Sequence, residues 1–125
     1  MASEDELFEK GREVTRQLWG ERAGGGGLPA QKLAPDFFRM VTEFCFGGFW
    51  SRPQLDVRSR SLCTVAQLAA LGKTSELKGH LMGALNLGIT REELIEVLMQ
   101  TSQYAGIPTA VAALNAAADV LGTGD

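Results

Sequence analysis

The chain is poor in the side chains that most often carry catalysis. Among 125 residues there is one histidine, His80, one tyrosine, Tyr104, and two cysteines, Cys45 and Cys63. The cysteines form no CxxC, no zinc-type spacing and no dense disulfide framework, so the expectation is two buried, reduced thiols and no bound metal. No basic tract exists: 12 Lys and Arg against 15 Asp and Glu leave a net charge of −3. Nucleic acid, which demands a clustered phosphate-neutralising surface, is thereby disfavoured as a partner. No apolar run approaches the ~18 residues of a membrane span. The opening "MASEDELFEKG" is acidic and polar, unlike a secretion signal, and the expected location is the cytoplasm. No segment alternates with a period of two, which removes β-strands and leaves an all-α fold.

What is present fits one soluble domain spanning 1–125, with 45% apolar and 22% charged residues. A first helix is expected over 3–19, capped by Ser3, with Glu6 completing a capping box and Leu7, Val14 and Leu18 near one face. The stretch "AGGGGLPAQKLAP", 23–35, holds Gly24–Gly27 and two prolines and reads as a flexible connector without regular structure. A second helix starts at Pro35 and is expected to end at Gly47-Gly48. A third runs through Leu62, Val65, Ala69 and Leu71 to Gly72, and a fourth from Thr74 or Ser75 to Gly88. Thr90 and Glu93 form the clearest capping box and open a fifth helix that Gly106 stops. Pro108 sits in the first turn of a sixth, alanine-rich helix ending at Gly122. Its small side chains let helices approach closely, within a core or across a subunit boundary.

His80 lies four residues after Glu76, so the two share a helix face, flanked by Leu77, Leu81 and Ala84. A carboxylate beside an imidazole favours the charged ring and aims it, an arrangement suited to proton transfer near neutral pH. The same spacing also describes a solvent-edge helix pair worth a few tenths of a kcal/mol. Arg58 and Arg60 stand where a third helix begins, and Arg52 follows Trp50. Cations at a helix start are electrostatically misplaced unless each meets a carboxylate or an anionic ligand. Arginine grips carboxylates in a bidentate fork, so these three are candidates for holding an acidic substrate. A structural bridge to Glu93 or Glu96 is the alternative. Tyr104, in "QYAGIP", is placed to bond a ligand or to tie the turn to its neighbour.

These residues together resemble the carboxymuconolactone decarboxylase family. The resemblance rests on Arg60-Ser61-Leu62, Glu76-Leu77 with His80-Leu81, "GALNLGIT", Glu93 and Glu96, and "YAGIP". Upstream, "GREVTRQLWGE" and "GGFWSRPQLD" extend it, so that it covers roughly residues 8 to 121. It implies an all-α fold of about six helices, assembled as a trimer or hexamer of identical chains. It implies a cofactor-free loss of CO2 from an acidic lactone of protocatechuate breakdown. On that reading His80 gives the proton and Glu76 tunes and aims it. Arg60, with Arg58 or Arg52, binds carboxylate or lactone oxygen, while Trp50 and Tyr104 wall the pocket.

The wider superfamily contains dithiol peroxidases with a CxxCxxxH signature. Counting back from His80, the two thiol positions fall on Lys73 and Glu76, so that chemistry has no nucleophile here. This chain also carries Ala105, Phe44, Phe46 and Gly48 where family decarboxylases tend to carry other groups, several of them polar. A more apolar wall, and a less polar substrate, is the expectation. A family member with altered chemistry on another small organic acid, or a non-catalytic oligomeric binding protein, remains an alternative.

Overall fold

The computed structural model describes residues 2–21 and 28–124. Among these the regular structure is entirely helical, as the sequence pattern expects. No helix of the described residues is long and apolar enough to cross a membrane. The chain divides into two compact units, Met1–Val57 and Arg58–Asp125.

The first unit begins with α1 (Glu4–Trp19), where the Ser3 hydroxyl accepts from the Glu6 amide at 3.2 Å. A short α2 (Pro29–Leu33) follows inside the stretch expected to lack regular structure. Pro29 at its first position has φ already set for a helix, and the Gln31 side chain accepts from the Leu28 amide at 3.3 Å. Gly24–Gly27 lie outside the described residues. Next comes α3 (Pro35–Val41), which passes directly into a π-helical segment, Thr42–Trp50. Gly47 and Gly48 therefore do not end this helix. Gly47 serves close approach instead: a Cβ there would lie 2.0 Å from the Leu7 carbonyl oxygen. On the facing helix, a Cβ at Gly11 would lie 2.0 Å from the carbonyl oxygen of Thr42. Two glycines thus let α1 and the π-helical segment cross backbone to backbone. Beside the crossing, Phe46 sets its ring edge-on to Trp19 at 5.7 Å and tilted to Trp50 at 5.5 Å. Val14, Leu18, Phe46 and Trp50 are buried.

The second unit holds α4 (Val57–Leu71), α5 (Thr74–Asn86), α6 (Arg91–Ala105) and α7 (Ile107–Leu121). Thr90 and Glu93 make the expected capping box, each side chain bonding the other's amide at 3.1 and 3.0 Å. Gly106 takes φ +101, a conformation that a side chain strains, and turns the chain from α6 straight into α7. The core is built from Val65, Leu77, Leu81, Ile89, Leu94 and Leu98, packed with Ala69, Ala84, Ala113 and Ala117. Each of the large side chains contributes on the order of 1.5–3 kcal/mol by leaving water. The alanines of α7 act inside this unit, giving α5 and α6 a flat surface to lie against. Arg91, in the first turn of α6, donates to the carbonyls of Leu121 and Gly122, both at 2.9 Å. Those carbonyls end α7 without helical partners, and the guanidinium satisfies them.

Candidate active site

His80 rides on α5 between Leu77 and Ala84, both fully buried, with Leu81 alongside. That placement buries its Nδ1 and leaves the ring mostly shielded from water. Burial lowers its pKa to about 4 from the usual 6.5. The imidazole is therefore neutral at pH 7. This corrects the expectation that Glu76, an exposed residue one turn earlier, favours the charged ring. Desolvation wins that contest, because an exposed carboxylate acts through high-dielectric solvent while the ring sits in low-polarity packing. A neutral buried imidazole can accept a proton as a base. It can also be charged on demand, when an anion settles beside it and raises its pKa.

Arg58 and Arg60 lie in the first turn of α4. Of the two alternatives open for Arg58, the structure shows the ion pair: its guanidinium bonds the Glu93 carboxylate, and both are half-exposed. Glu93 thus serves twice, capping α6 and neutralising a cation at the start of α4. Its pKa is lowered, first by the Thr90 backbone amide and then by Arg58. Arg60 is partly buried. Ser61, the next residue, is fully buried.

Tyr104 is not a pocket wall in the enclosed sense: it is 90% exposed. It borders an open, largely apolar groove of about 450 Å³ between α4 and α6, with Leu62, Cys63, Val97 and Thr101. Cys63 is exposed in that groove, contrary to the buried thiol expected, because it points away from the Ser61, Val65 and Ala69 stripe by which α4 enters the core. Cys45 is half-buried, and burial raises its pKa. Both thiols are free.

Trp50 and Arg52 belong to the first unit. Buried Trp50 and exposed Arg52 line a different concavity of about 460 Å³, together with Lys10, Glu13, Leu55 and Asp56. Neither concavity is lined by His80, Glu76, Arg58 or Arg60. The apolar wall expected from Phe44 and Phe46 is not formed by both. Phe46 is core between Trp19 and Trp50, while Phe44 is 68% exposed and stacks edge-on with Phe49 at 5.4 Å. No cluster of three or more His, Cys, Asp or Glu placed to hold a metal occurs among the described residues.

Fold and site together define a class: an all-helical protein with one shielded, titratable imidazole and arginines at the start of a neighbouring helix. The comparisons give that class a name. Residues 35–119 match the carboxymuconolactone decarboxylase family, and the chain belongs to it. The chain is 36% identical over 119 residues to the 4-carboxymuconolactone decarboxylase of Acinetobacter baylyi, covering 94% of this chain and 89% of the relative. It is 31% identical over 112 residues to the nitrosuccinic acid decarboxylase npaB of Metarhizium robertsii, covering 86% and 76%. An uncharacterized 15.0 kDa protein of Paracoccus denitrificans is 31% identical over 117 residues, covering 92% and 87%.

Proposed function

We propose that this protein is a carboxy-lyase that removes CO2 from a small acidic lactone without an organic cofactor, with His80 as the proton-transfer group. The observation that carries the reading is the shielded, neutral imidazole on α5 in a chain whose two named relatives are both decarboxylases. The relatives' names describe different acids, a carboxylated unsaturated lactone and a nitro-substituted succinate. Both acids hold an electron-withdrawing group, lactone or nitro, able to accept the pair left behind by CO2. The substrate supplies its own electron sink, so the protein needs only to orient the carboxylate and deliver a proton.

The bond from carbon to the carboxylate breaks, CO2 departs, and the electron pair passes into the conjugated lactone. A proton taken up by His80 from solvent is then handed to the carbanionic intermediate, so one proton is consumed per CO2 released. The bound dianion raises the pKa of His80 from about 4 and loads it with that proton. In this reading Glu76 aims the ring, and Arg60, with Arg58, receives the substrate carboxylate. Tyr104 acts as an outer binding group. Assembly into a trimer or hexamer belongs to the same reading. Leu33, Phe37, Met40 and Phe44, apolar and all more than half exposed, support it.

A second reading, decarboxylation of a nitro- or otherwise activated dicarboxylic acid, is favoured by the Metarhizium relative. Trapping CO2 from parallel incubations with 4-carboxymuconolactone and nitrosuccinate separates the two. Release from the lactone acid alone supports the first reading and release from nitrosuccinate alone the second. No release from either overturns both.

A further inference from the structure

Three polar residues of the described chain are buried: Thr15, Ser61 and Thr101, at 5%, 0% and 8% exposure. Two of them turn their hydroxyls back onto their own helix. Thr15 donates to the Arg12 carbonyl at 3.1 Å and Thr101 to the Val97 carbonyl at 3.2 Å. Thr64, one turn along α4 from Ser61, does the same toward Arg60 at 2.8 Å. Such back-bonding is the ordinary fate of a helical hydroxyl. Ser61 departs from it: its Oγ is shut off from solvent and bonds no protein group among the described residues. An unpaired buried hydroxyl is destabilising, and alanine, smaller and a better helix former, would remove that penalty.

The location matters as much as the missing bond. Ser61 follows Arg60 directly and stands three residues, one helical turn, inward of Arg58 and its bridge to Glu93. It heads the stripe of Ser61, Val65 and Ala69 by which α4 joins the core. Val65 and Ala69 pack in the same cluster as Leu77, Leu81 and Ala84, the α5 residues that flank His80. A hydroxyl can donate one hydrogen bond and accept two. Close in sequence to Arg58 and Arg60 on α4, it has the donor chemistry that an acid's oxygens accept.

We propose that the Ser61 hydroxyl is a substrate-binding group, donating a hydrogen bond to a carboxylate or lactone oxygen whose charge Arg60 balances. The assignment rests on the proposed decarboxylase reading and names one more contact in that site. It treats the unpaired hydroxyl as stability relinquished for recognition.

The test uses the full chain, Ser61→Ala and Ser61→Cys, the latter near in size but a weak donor. Two ligands are needed: 4-carboxymuconolactone for turnover, and paraconate, a saturated lactone carboxylate with no conjugated sink, for binding by calorimetry. The expected result is an unchanged or higher melting temperature for Ser61→Ala, with paraconate bound at least ten-fold more weakly and kcat/KM lowered at least ten-fold. Ser61→Cys should fall between Ser61→Ala and wild type. Unaltered affinity and kcat/KM in Ser61→Ala, whatever its melting temperature, overturn the proposal; a hydroxyl serving only an internal water gives that outcome. Binding of paraconate without turnover in wild type sinks the decarboxylase reading alone, and the Ser61 assignment then stands or falls on the affinity ratio. No binding and no turnover in wild type overturn both.

Discussion

Replacing Gly47 with alanine should unfold more of this protein than an exchange of one hydrogen for a methyl ordinarily does. In an unobstructed helix interior, alanine is favoured over glycine by up to about 1 kcal/mol. Here the new Cβ would lie 2.0 Å from the Leu7 carbonyl oxygen and 2.8 Å from its carbon. Non-bonded atoms rest roughly 3.5 Å apart, so α1 and the π-helical segment would have to separate by about 1.5 Å. Backbone cannot swing aside as a flexible side chain can. Separation would also open the edge-on contact that Phe46 makes with Trp19 on α1. Overpacking of this kind costs about 1–3 kcal/mol and occasionally more, and the one loosened aromatic contact adds to it. Set against the propensity gain, the net expectation is a destabilisation of about 2–4 kcal/mol, or roughly 8–15 °C in melting temperature for a chain of this size. Gly79 is the control. It lies inside α5, where an added Cβ would meet nothing within 4 Å, so Gly79→Ala should stabilise by about 0.5–1 kcal/mol. Urea unfolding of the two variants beside wild type gives both signs from one assay. A neutral or stabilising Gly47→Ala would refute the backbone-to-backbone crossing.

Two further outcomes follow from the titratable and reactive groups. His80 binds a proton with pKa about 4 when folded and 6.5 when unfolded, so the unfolded state holds more protons between those values. Stability should fall as pH drops from 6.5 toward 4, and the loss amounts to roughly 3 kcal/mol once both states are protonated. The stability gap between wild type and His80→Gln should move in the destabilising direction for wild type by that amount between pH 7 and pH 4, and a pH-independent gap would contradict it. Cys63 should react with a water-soluble disulfide reagent at once, and Cys45, half-buried with a raised pKa, slowly. Equal rates for the two thiols would show that the native exposures are misassigned.

Much of this architecture can be read from local chemistry. Thr90 with Glu93, and the glycines that follow α4, α5, α6 and α7, mark helix ends because capping depends on a few neighbouring residues. Gly47 carries no such label. A glycine written for close approach has the same letter as one written for a turn, and only the facing backbone of α1 tells them apart. The π-helical winding of Thr42–Trp50 likewise has no propensity signal. Cys63 reads as buried in the sequence because α4 carries apolar residues on all sides, so its core stripe of Ser61, Val65 and Ala69 does not stand out by spacing. At the site, the Arg58 bridge is among the alternatives open from charge and position, and the fold selects Glu93 over Glu96. The burial of His80 is legible in its neighbours Leu77, Leu81 and Ala84. Its charge state is not, since a carboxylate four residues away and an apolar environment push the pKa in opposite directions, and only burial says which prevails.

The role of His80 is tested most directly by CO2 release from 4-carboxymuconolactone at pH 7, measured for wild type and for His80→Gln, each confirmed folded by circular dichroism. Wild type should turn the acid over, and the variant should lose about a hundred-fold or more of that rate. A His80→Gln protein that decarboxylates as fast as wild type would contradict proton transfer by this imidazole.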